Sequence, residues 1–248
     1  MTFSRQLIDT LLKSRSVCVL TGAGVSAESG VPTFRGEEGL WKKFRPEELA
    51  NFDAFMRNPD LVWEWYSYRR KLVRDVRPNP AHHALVELER HMNEFMLVTQ
   101  NVDNLHKRAG SKNVVELHGN IERSYCVDCG KDAPDVDLLS SQGVPRCTSC
   151  GGLIRPGVVW FGEMLPTEAF ARAERASRTC DLFFSVGTSS VVYPAASLPM
   201  VALEHGAFVV EINRERTDLS SRAHEVLVGK AGEILPALVS QTILQHSR

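Results

Sequence analysis

The sequence has no apolar run long enough to cross a bilayer, since none approaches the roughly 18 residues that such a helix needs. It has no excess of one charge either, because 29 lysine and arginine residues balance 30 aspartate and glutamate residues. This balance argues against a general attraction to nucleic acid or to an anionic membrane. Repeats and low-complexity tracts are missing, and a hydrophobic content of 43% argues against a disordered chain.

The beginning of the chain also lacks the charged-then-apolar layout of a signal peptide. Its periodicity predicts an amphipathic helix from Thr2 or Phe3 to Lys13 instead. We therefore expect a cytoplasmic protein. A length of 248 residues suits one large domain, or a domain with a small module.

Short apolar runs alternate with stretches of helical periodicity. The pattern is typical of an α/β fold with a doubly wound parallel sheet. The predicted strands are 17–20, 95–98, 113–116, 182–186 and 208–212, and the predicted helices between and after them are 81–91, 167–177, 194–205 and 233–244. Two stretches interrupt the alternation: an aromatic and charged segment at 37–77, which looks helical, and a cysteine-bearing segment at 126–150.

A glycine-rich turn, Gly22-Ala23-Gly24-Val25-Ser26-Ala27, follows the first predicted strand. The G-x-G-x-x-A pattern permits a tight turn and close approach of the backbone to a pyrophosphate. A strand-to-helix turn without any ligand is the alternative. A standard dinucleotide site has an acidic residue about 20 residues further on, at the end of the second strand. Here the second strand comes much later, which argues against a nicotinamide dehydrogenase.

Four of the six cysteines form two C-x-x-C pairs, Cys126 with Cys129 and Cys147 with Cys150. Each pair is followed by a glycine, which lets the backbone turn tightly behind a metal ion. Four thiolates complete a tetrahedral zinc site and leave no position for water, so the zinc is expected to be structural. Disulfides or redox dithiols are the alternative.

Polar residues follow the second and third predicted strands, at the sheet edge where α/β folds bind ligands. Gln100, Asn101 and Asp103 suit hydrogen bonds to a ribose, an amide or a water. His118 follows the third strand, and a histidine there is suited to act as a general base. The alternatives are an ordinary capped turn and a structural histidine.

Together these motifs resemble the sirtuin family of NAD-dependent protein deacylases, over about residues 5–240. The segments that carry the resemblance are 22–32, 100–103, 118–119, the four cysteines, 158–163, 187–189 and 211–213. The resemblance implies a Rossmann-like NAD-binding domain of residues 1–36, 78–122 and 155–248. The smaller domain would comprise a helical module, 37–77, and a zinc ribbon, 123–154.

The resemblance also implies a role for individual residues. The acyl carbonyl oxygen would attack the nicotinamide ribose, nicotinamide would leave, and His118 would act as general base. The implied catalytic residues are His118, Asn101, Asp103 and Arg35. The implied NAD-binding residues are Gly22, Ala23, Gly24, Ser26, Ala27, Phe34, Arg35, Trp41, Gln100, Asn101, Val102, Asp103, Gly187, Thr188, Ser189, Asn213, Arg214, Glu215 and Ala231. The implied substrate-binding residues are Tyr66, Arg69, Val159, Trp160, Phe161, Gly162 and Glu163, and the zinc ligands are Cys126, Cys129, Cys147 and Cys150.

Two departures from the common family pattern resemble the class III sirtuins, which remove acidic acyl groups. Thr33 stands before Phe34-Arg35, where many sirtuins have aspartate. Tyr66 and Arg69 are three residues apart, so on a helix they share a face, and a phenol with a guanidinium can hold a carboxylate. From spacing alone, a solvated helix with inward-facing aromatics is the alternative.

The expected activity is NAD-dependent removal of acetyl, succinyl and malonyl groups from protein lysines, with release of nicotinamide and 2′-O-acyl-ADP-ribose. NAD and one structural zinc ion are the expected cofactors, and acylated-lysine proteins are the expected partners. Neither a membrane nor nucleic acid is expected, and a monomer is consistent with the sequence. Mono-ADP-ribosylation and nucleic-acid binding by the zinc ribbon are the alternative functions.

Overall fold

The computed structural model describes residues 2–33, 46–134, 136 and 143–246. Phe34, Arg35 and Trp41, three of the implied NAD-binding residues, lie outside these ranges. The strands are β1 (Ser16–Thr21), β2 (Glu94–Thr99), β3 (Val114–Glu116), β4 (Gly119–Cys126), β5 (Ile154–Val158), β6 (Leu182–Val186), β7 (Phe208–Asn213) and β8 (Glu225–Val228). The α-helices are α1 (Arg5–Lys13), α2 (Ala23–Ala27), α3 (Pro46–Leu49), α4 (Phe52–Arg57), α5 (Pro59–Asp75), α6 (Pro80–His91), α7 (Leu105–Ala109), α8 (Thr167–Thr179), α9 (Leu198–Glu204) and α10 (Ala231–His246).

Six strands form a parallel sheet in the order β3-β2-β1-β6-β7-β8. Both faces of this sheet are covered, as the apolar runs predicted. Val17 and Val19 of β1 pack into one buried cluster with residues of α1, α6 and α10. Cys18 and Leu20 point to the other side, into a cluster with residues of α8 and α9. The predicted α/β doubly wound sheet is therefore confirmed.

A second, smaller sheet pairs β4 with β5 in antiparallel orientation. The inserted helix α5 packs against it, because Val62, Tyr66 and Val73 share a buried cluster with Ile121 and Trp160. The helical reading of the insertion is confirmed for α3, α4 and α5. This cluster matters for function because it places one face of α5 against the segment that follows β5.

Several details differ from the sequence-based expectations. The first helix begins at Arg5 rather than Thr2 or Phe3, because the Ser4 side chain accepts a hydrogen bond from the Leu7 N–H and caps it. The predicted helix 194–205 is wrong at its start: residues 195–197 form a 3₁₀ turn, and the α-helix begins at Leu198. A proline, Pro199, then lies in the first turn of α9, where proline is tolerated. Strand β8 and the β4–β5 pair were not predicted.

Within the described ranges, no helix combines the length and the apolar character needed to span a membrane.

Candidate functional site

A cleft of about 1380 Å³ opens at the carboxyl edge of the parallel sheet. The strands β1 and β6 are neighbours in the middle of the sheet, and the chain leaves them toward opposite sides. Such a switch point is where open α/β sheets bind ligands. The cleft extends from the turns after β1 and β6 to α5 and the segment after β5.

The glycine-rich turn lies against the turn that follows β6. The Gly24 N–H donates to the Gly187 carbonyl oxygen at 2.8 Å. A Cβ atom at Gly22 would lie 2.8 Å from that oxygen, and one at Gly24 would lie 2.7 Å from the Gly187 Cα. The sequence explained these glycines by the approach of a ligand, but the structure shows that they are also required for two backbone turns to touch.

Asn101 is fixed by several hydrogen bonds at the end of β2. Its side-chain nitrogen donates to the Gly22 carbonyl at 3.0 Å and to the Ser26 hydroxyl at 3.1 Å. Its backbone N–H donates to the Thr99 hydroxyl at 3.0 Å. The amide nitrogen is thereby committed to the protein, and the amide oxygen is left to accept from a ligand.

Asp103 is buried and does not line the cleft. Burial raises the pKa of its carboxyl group, and hydrogen bonds from the Leu105 N–H and from Ser26 lower it in part. Ser26 is also buried and outside the cleft lining, although it was predicted to bind the cofactor. The structure therefore places both residues where they hold other groups in position.

His118 lines the cleft directly after β3. Its Nδ1 lies 2.9 Å from the carbonyl oxygen of Gln100, which can only accept, so Nδ1 carries a hydrogen. In the neutral ring Nε2 is then unprotonated. Burial lowers the pKa of this imidazole, and the bond to Gln100 offsets that in part. Neutral His118 therefore presents a proton acceptor, as the general-base interpretation requires.

Aromatic side chains and arginines surround the far end of the cleft. Tyr66 and Trp160 are buried, and the Trp160 indole N–H donates to the Tyr66 hydroxyl oxygen at 2.9 Å. The Arg69 guanidinium lies 4.8 Å from the ring centre of Trp65 and 5.7 Å from that of Tyr66. Tyr66 and Arg69 both line the cleft.

Hydrogen bonds along its length fix the segment 159–163. The Val159 N–H donates to the His118 carbonyl and the Phe161 N–H to the Ala50 carbonyl, each at 2.9 Å. The carboxylate of Glu163 accepts from the Trp160 N–H at 2.7 Å and pairs with Arg155. Phe161 remains half-exposed at the cleft.

Most of the predicted site residues that the structure describes meet in this one cleft. Those that line it are Gly22, Ala23, Gly24, Ala27, Gln100, Asn101, Val102, His118, Gly187, Thr188, Ser189, Asn213, Arg214, Glu215 and Ala231, together with all seven predicted substrate-binding residues.

Several residues that line the cleft were not predicted from the sequence. Val191, Val192 and Tyr193 form part of the wall, and the Tyr193 side chain is exposed. The sequence feature that could have indicated them is the apolar run Val191-Val192-Tyr193, which comes directly before Pro194 at the start of a predicted helix. Trp65 also lines the cleft, and the density of aromatics in α5 pointed to it.

The four cysteines of the two C-x-x-C pairs lie together away from this cleft. Their sulfur atoms are all within 4.8 Å of one another. The Sγ atoms of Cys126 and Cys150 are 3.4 Å apart, and those of Cys129 and Cys147 are 3.7 Å apart. These distances exclude disulfides, which need about 2.05 Å. They match the roughly 3.8 Å that four sulfurs adopt around tetrahedral zinc with bonds of about 2.3 Å.

Metal analysis of the purified protein is expected to find one zinc ion per chain. Replacing Cys126 by serine should release the zinc and destabilise the β4–β5 lobe, because a structural zinc is coupled to folding. Replacing Cys18 by alanine is the matched control, because this buried cysteine is not part of the four-cysteine cluster, and it should leave the zinc content unchanged. Protein that is fully folded without bound zinc would contradict this assignment.

Most of the chain matches the model of one known protein family. A family model described as the Sir2 family matches residues 22–194. A protein from Aquifex aeolicus (strain VF5), named NAD-dependent protein deacylase, is 54% identical over 212 residues, which cover 86% of this chain and 89% of that protein.

Solved structures show the same similarity. A Sir2 homologue in complex with NAD superposes with a TM-score of 0.93 at 46% identity, over 98% of this chain and 95% of the other. A Sir2 structure with a p53 peptide and NAD⁺ superposes with a TM-score of 0.87 at 35% identity, over 98% of this chain and 100% of the other.

Proposed function

Because the chain belongs to the Sir2 family, we propose that it is an NAD-dependent protein-lysine deacylase. The observation that carries this proposal is a single cleft lined by the glycine turn, by His118 and by the Tyr66–Arg69 face of α5. A cofactor and an acylated side chain could therefore meet at one proton acceptor. The name of the Aquifex relative and the NAD and peptide complexes of related structures support the same activity.

The residues present fit NAD. The glycine turn and the Gly187 turn contact each other and both line the cleft, so their backbones lie where a pyrophosphate could approach. We assign the phosphates and adenosine to the residues around Gly22, Gly187, Asn213 and Ala231, and the carboxamide to the free oxygen of Asn101. When bound, NAD supplies an electrophilic ribose carbon and accepts the acyl group, with release of nicotinamide.

The protein's own groups orient the reactants and move a proton. His118 Nε2 accepts a proton from a ribose hydroxyl, while the Gln100 carbonyl holds the ring in the required tautomer. Asp103 keeps the adjoining α7 turn in place through its bond to the Leu105 N–H at 3.0 Å. Phe34, Arg35 and Trp41 keep their predicted roles at the cofactor as part of this proposal. So does the division into an NAD-binding domain (1–36, 78–122, 155–248) and a small domain (37–77, 123–154).

We further propose that the enzyme removes acidic acyl groups, succinyl and malonyl, besides acetyl groups. Arg69 and Tyr66 are close to each other and both line the cleft. Both a guanidinium and a phenol can donate hydrogen bonds to a carboxylate, and these bonds are charge-assisted because the acceptor is ionised. Acylated proteins in the cytoplasm are the proposed substrates.

A panel of peptides carrying acetyl-, malonyl-, succinyl- or glutaryl-lysine, each incubated with NAD, tests both proposals. Free lysine, nicotinamide and an acyl-ADP-ribose should form in equal amounts. Modified protein without acyl-ADP-ribose would show mono-ADP-ribosylation instead. Turnover of acetyl-lysine alone would leave the deacylase assignment in place and contradict the acidic-acyl preference.

The pH dependence of kcat/KM should show an acid limb set by His118. Because burial lowers its pKa below the ordinary value of 6.5, the neutral base persists to lower pH than a free imidazole would allow. Activity should be fully present above the lowered pKa and be lost as the pH falls through it. A stopped assay with acetyl-lysine peptide between pH 5 and 8 measures this, and an acid limb above 6.5 would contradict the assignment.

A further inference from the structure

The hydroxyl group of Tyr66 has a defined hydrogen-bond direction. An indole N–H can only donate, so at the 2.9 Å contact the Tyr66 oxygen is the acceptor and Trp160 Nε1 is the donor. The hydroxyl hydrogen of Tyr66 is therefore left for a different partner. A hydrogen bond also joins the side chains of Arg69 and Tyr66, and because a guanidinium can only donate, the Tyr66 oxygen accepts from Arg69 as well.

The phenol also keeps that hydrogen. Burial raises the pKa of Tyr66, and the nearby Arg69 lowers it only in part. Tyr66 lines the cleft, and its hydroxyl group is the donor that we expect to meet a ligand that reaches the far end. Arg69 is a donor as well, since a guanidinium cannot accept. At this end of the cleft, Tyr66 and Arg69 are therefore hydrogen-bond donors toward a ligand.

Several contacts hold Trp160 in the position from which it donates to the Tyr66 oxygen. The Arg155 guanidinium lies 3.6 Å from the centre of its ring, and the ring of Phe55 lies 5.3 Å away, centre to centre. Arg155 is itself paired with Glu163, whose carboxylate also accepts the Trp160 backbone N–H. Both the backbone and the ring of Trp160 are thus fixed before a substrate binds.

We propose that Trp160 is a specificity-determining residue: by donating to the Tyr66 oxygen, it directs the Tyr66 hydroxyl hydrogen toward the acyl terminus and favours a group there that only accepts. A carboxylate is such a group, whereas the methyl end of an acetyl group uses no donor. This inference rests on the proposed acidic-acyl activity and assigns the selectivity to a residue that need not touch the carboxylate.

The test compares selectivity, defined as kcat/KM for succinyl-lysine divided by kcat/KM for acetyl-lysine, in the zinc-loaded enzyme. Trp160→Phe removes the N–H and keeps an aromatic ring, and we expect the selectivity to fall about threefold to tenfold. In a Tyr66→Phe background, Trp160→Phe should lower the selectivity no further, because the group through which it acts is gone. Phe55→Leu is the matched packing control and should affect both substrates alike.

If Trp160→Phe fails to fold, benzothienylalanine at position 160 replaces only the N–H by sulfur and keeps the shape of the ring. An unchanged selectivity in Trp160→Phe, while Tyr66→Phe lowers it, would overturn this inference and leave the proposed function intact. Additive losses in the double variant would also overturn it, since Trp160 would then act independently of the phenol. If neither Tyr66→Phe nor Arg69→Met changes the selectivity, the acidic-acyl proposal fails, and this inference fails with it.

Discussion

Replacing His118 by alanine is expected to lower kcat for deacylation by about 10²–10⁴-fold, the usual cost of losing a general base. The side chain lines the cleft, and its bond to the Gln100 carbonyl leaves Nε2 as the proton acceptor. Alanine has no group that could replace it. Binding of NAD and of the acylated peptide should remain largely intact, because the glycine turn and α5 are unchanged. Single-turnover assays and calorimetric binding measurements separate the two effects.

His83→Ala is the matched control, since His83 is an exposed imidazole on α6. That variant should retain wild-type activity. Near-normal turnover by His118→Ala with its zinc retained would exclude the histidine as the base. A parallel loss of NAD affinity would instead indicate that the imidazole mainly supports the cofactor.

Replacing Arg69 by methionine should lower kcat/KM for succinyl-lysine by at least tenfold more than kcat/KM for acetyl-lysine. Leaving a buried carboxylate without its charged partner typically costs about 2–5 kcal/mol. Acetyl-lysine has no carboxylate and avoids this cost. Burial lowers the pKa of Arg69, and nearby Tyr66 and Asp103 offset that in part.

Tyr66→Phe should shift the selectivity in the same direction but by less, because one neutral donor is lost. Arg74→Met and Tyr68→Phe are matched controls, since both side chains are exposed on the same helix, α5. Equal losses for both substrates would mean that Tyr66 and Arg69 support the wall of the cleft. No loss for either substrate would contradict the acidic-acyl preference.

The central part of the fold could be predicted because local patterns determine it. The run 17–20 is apolar throughout, and the run 182–186 has one polar residue, Ser185. Such runs are typical of strands buried on both faces, and both form central strands of the sheet. Likewise, the spacing of the four cysteines along the chain is enough to predict a metal site. Their sulfur atoms converge as that spacing requires.

Other features depend on contacts between distant parts of the chain. Strand β4 alternates poorly between buried and exposed residues, so its sequence has no clear strand period. The hydrogen bond between Trp160 and Tyr66 joins residues 94 positions apart, and neither residue indicates the other. The tight contact of Gly22 and Gly24 with Gly187 is of the same kind, since its geometry exists only once β1 and β6 are paired.

The position of β1 in the sheet has a consequence for how the chain folds. Its partners lie far along the chain, because Ser16 pairs with Glu94 and Val17 pairs with Leu182. Closing such long loops costs conformational entropy before the contacts between the strands offset it. This slows folding. Until β6 has paired with it, this apolar strand has one edge unpaired, and such an edge can pair with another unfolded chain. We therefore expect aggregation during refolding to depend steeply on protein concentration.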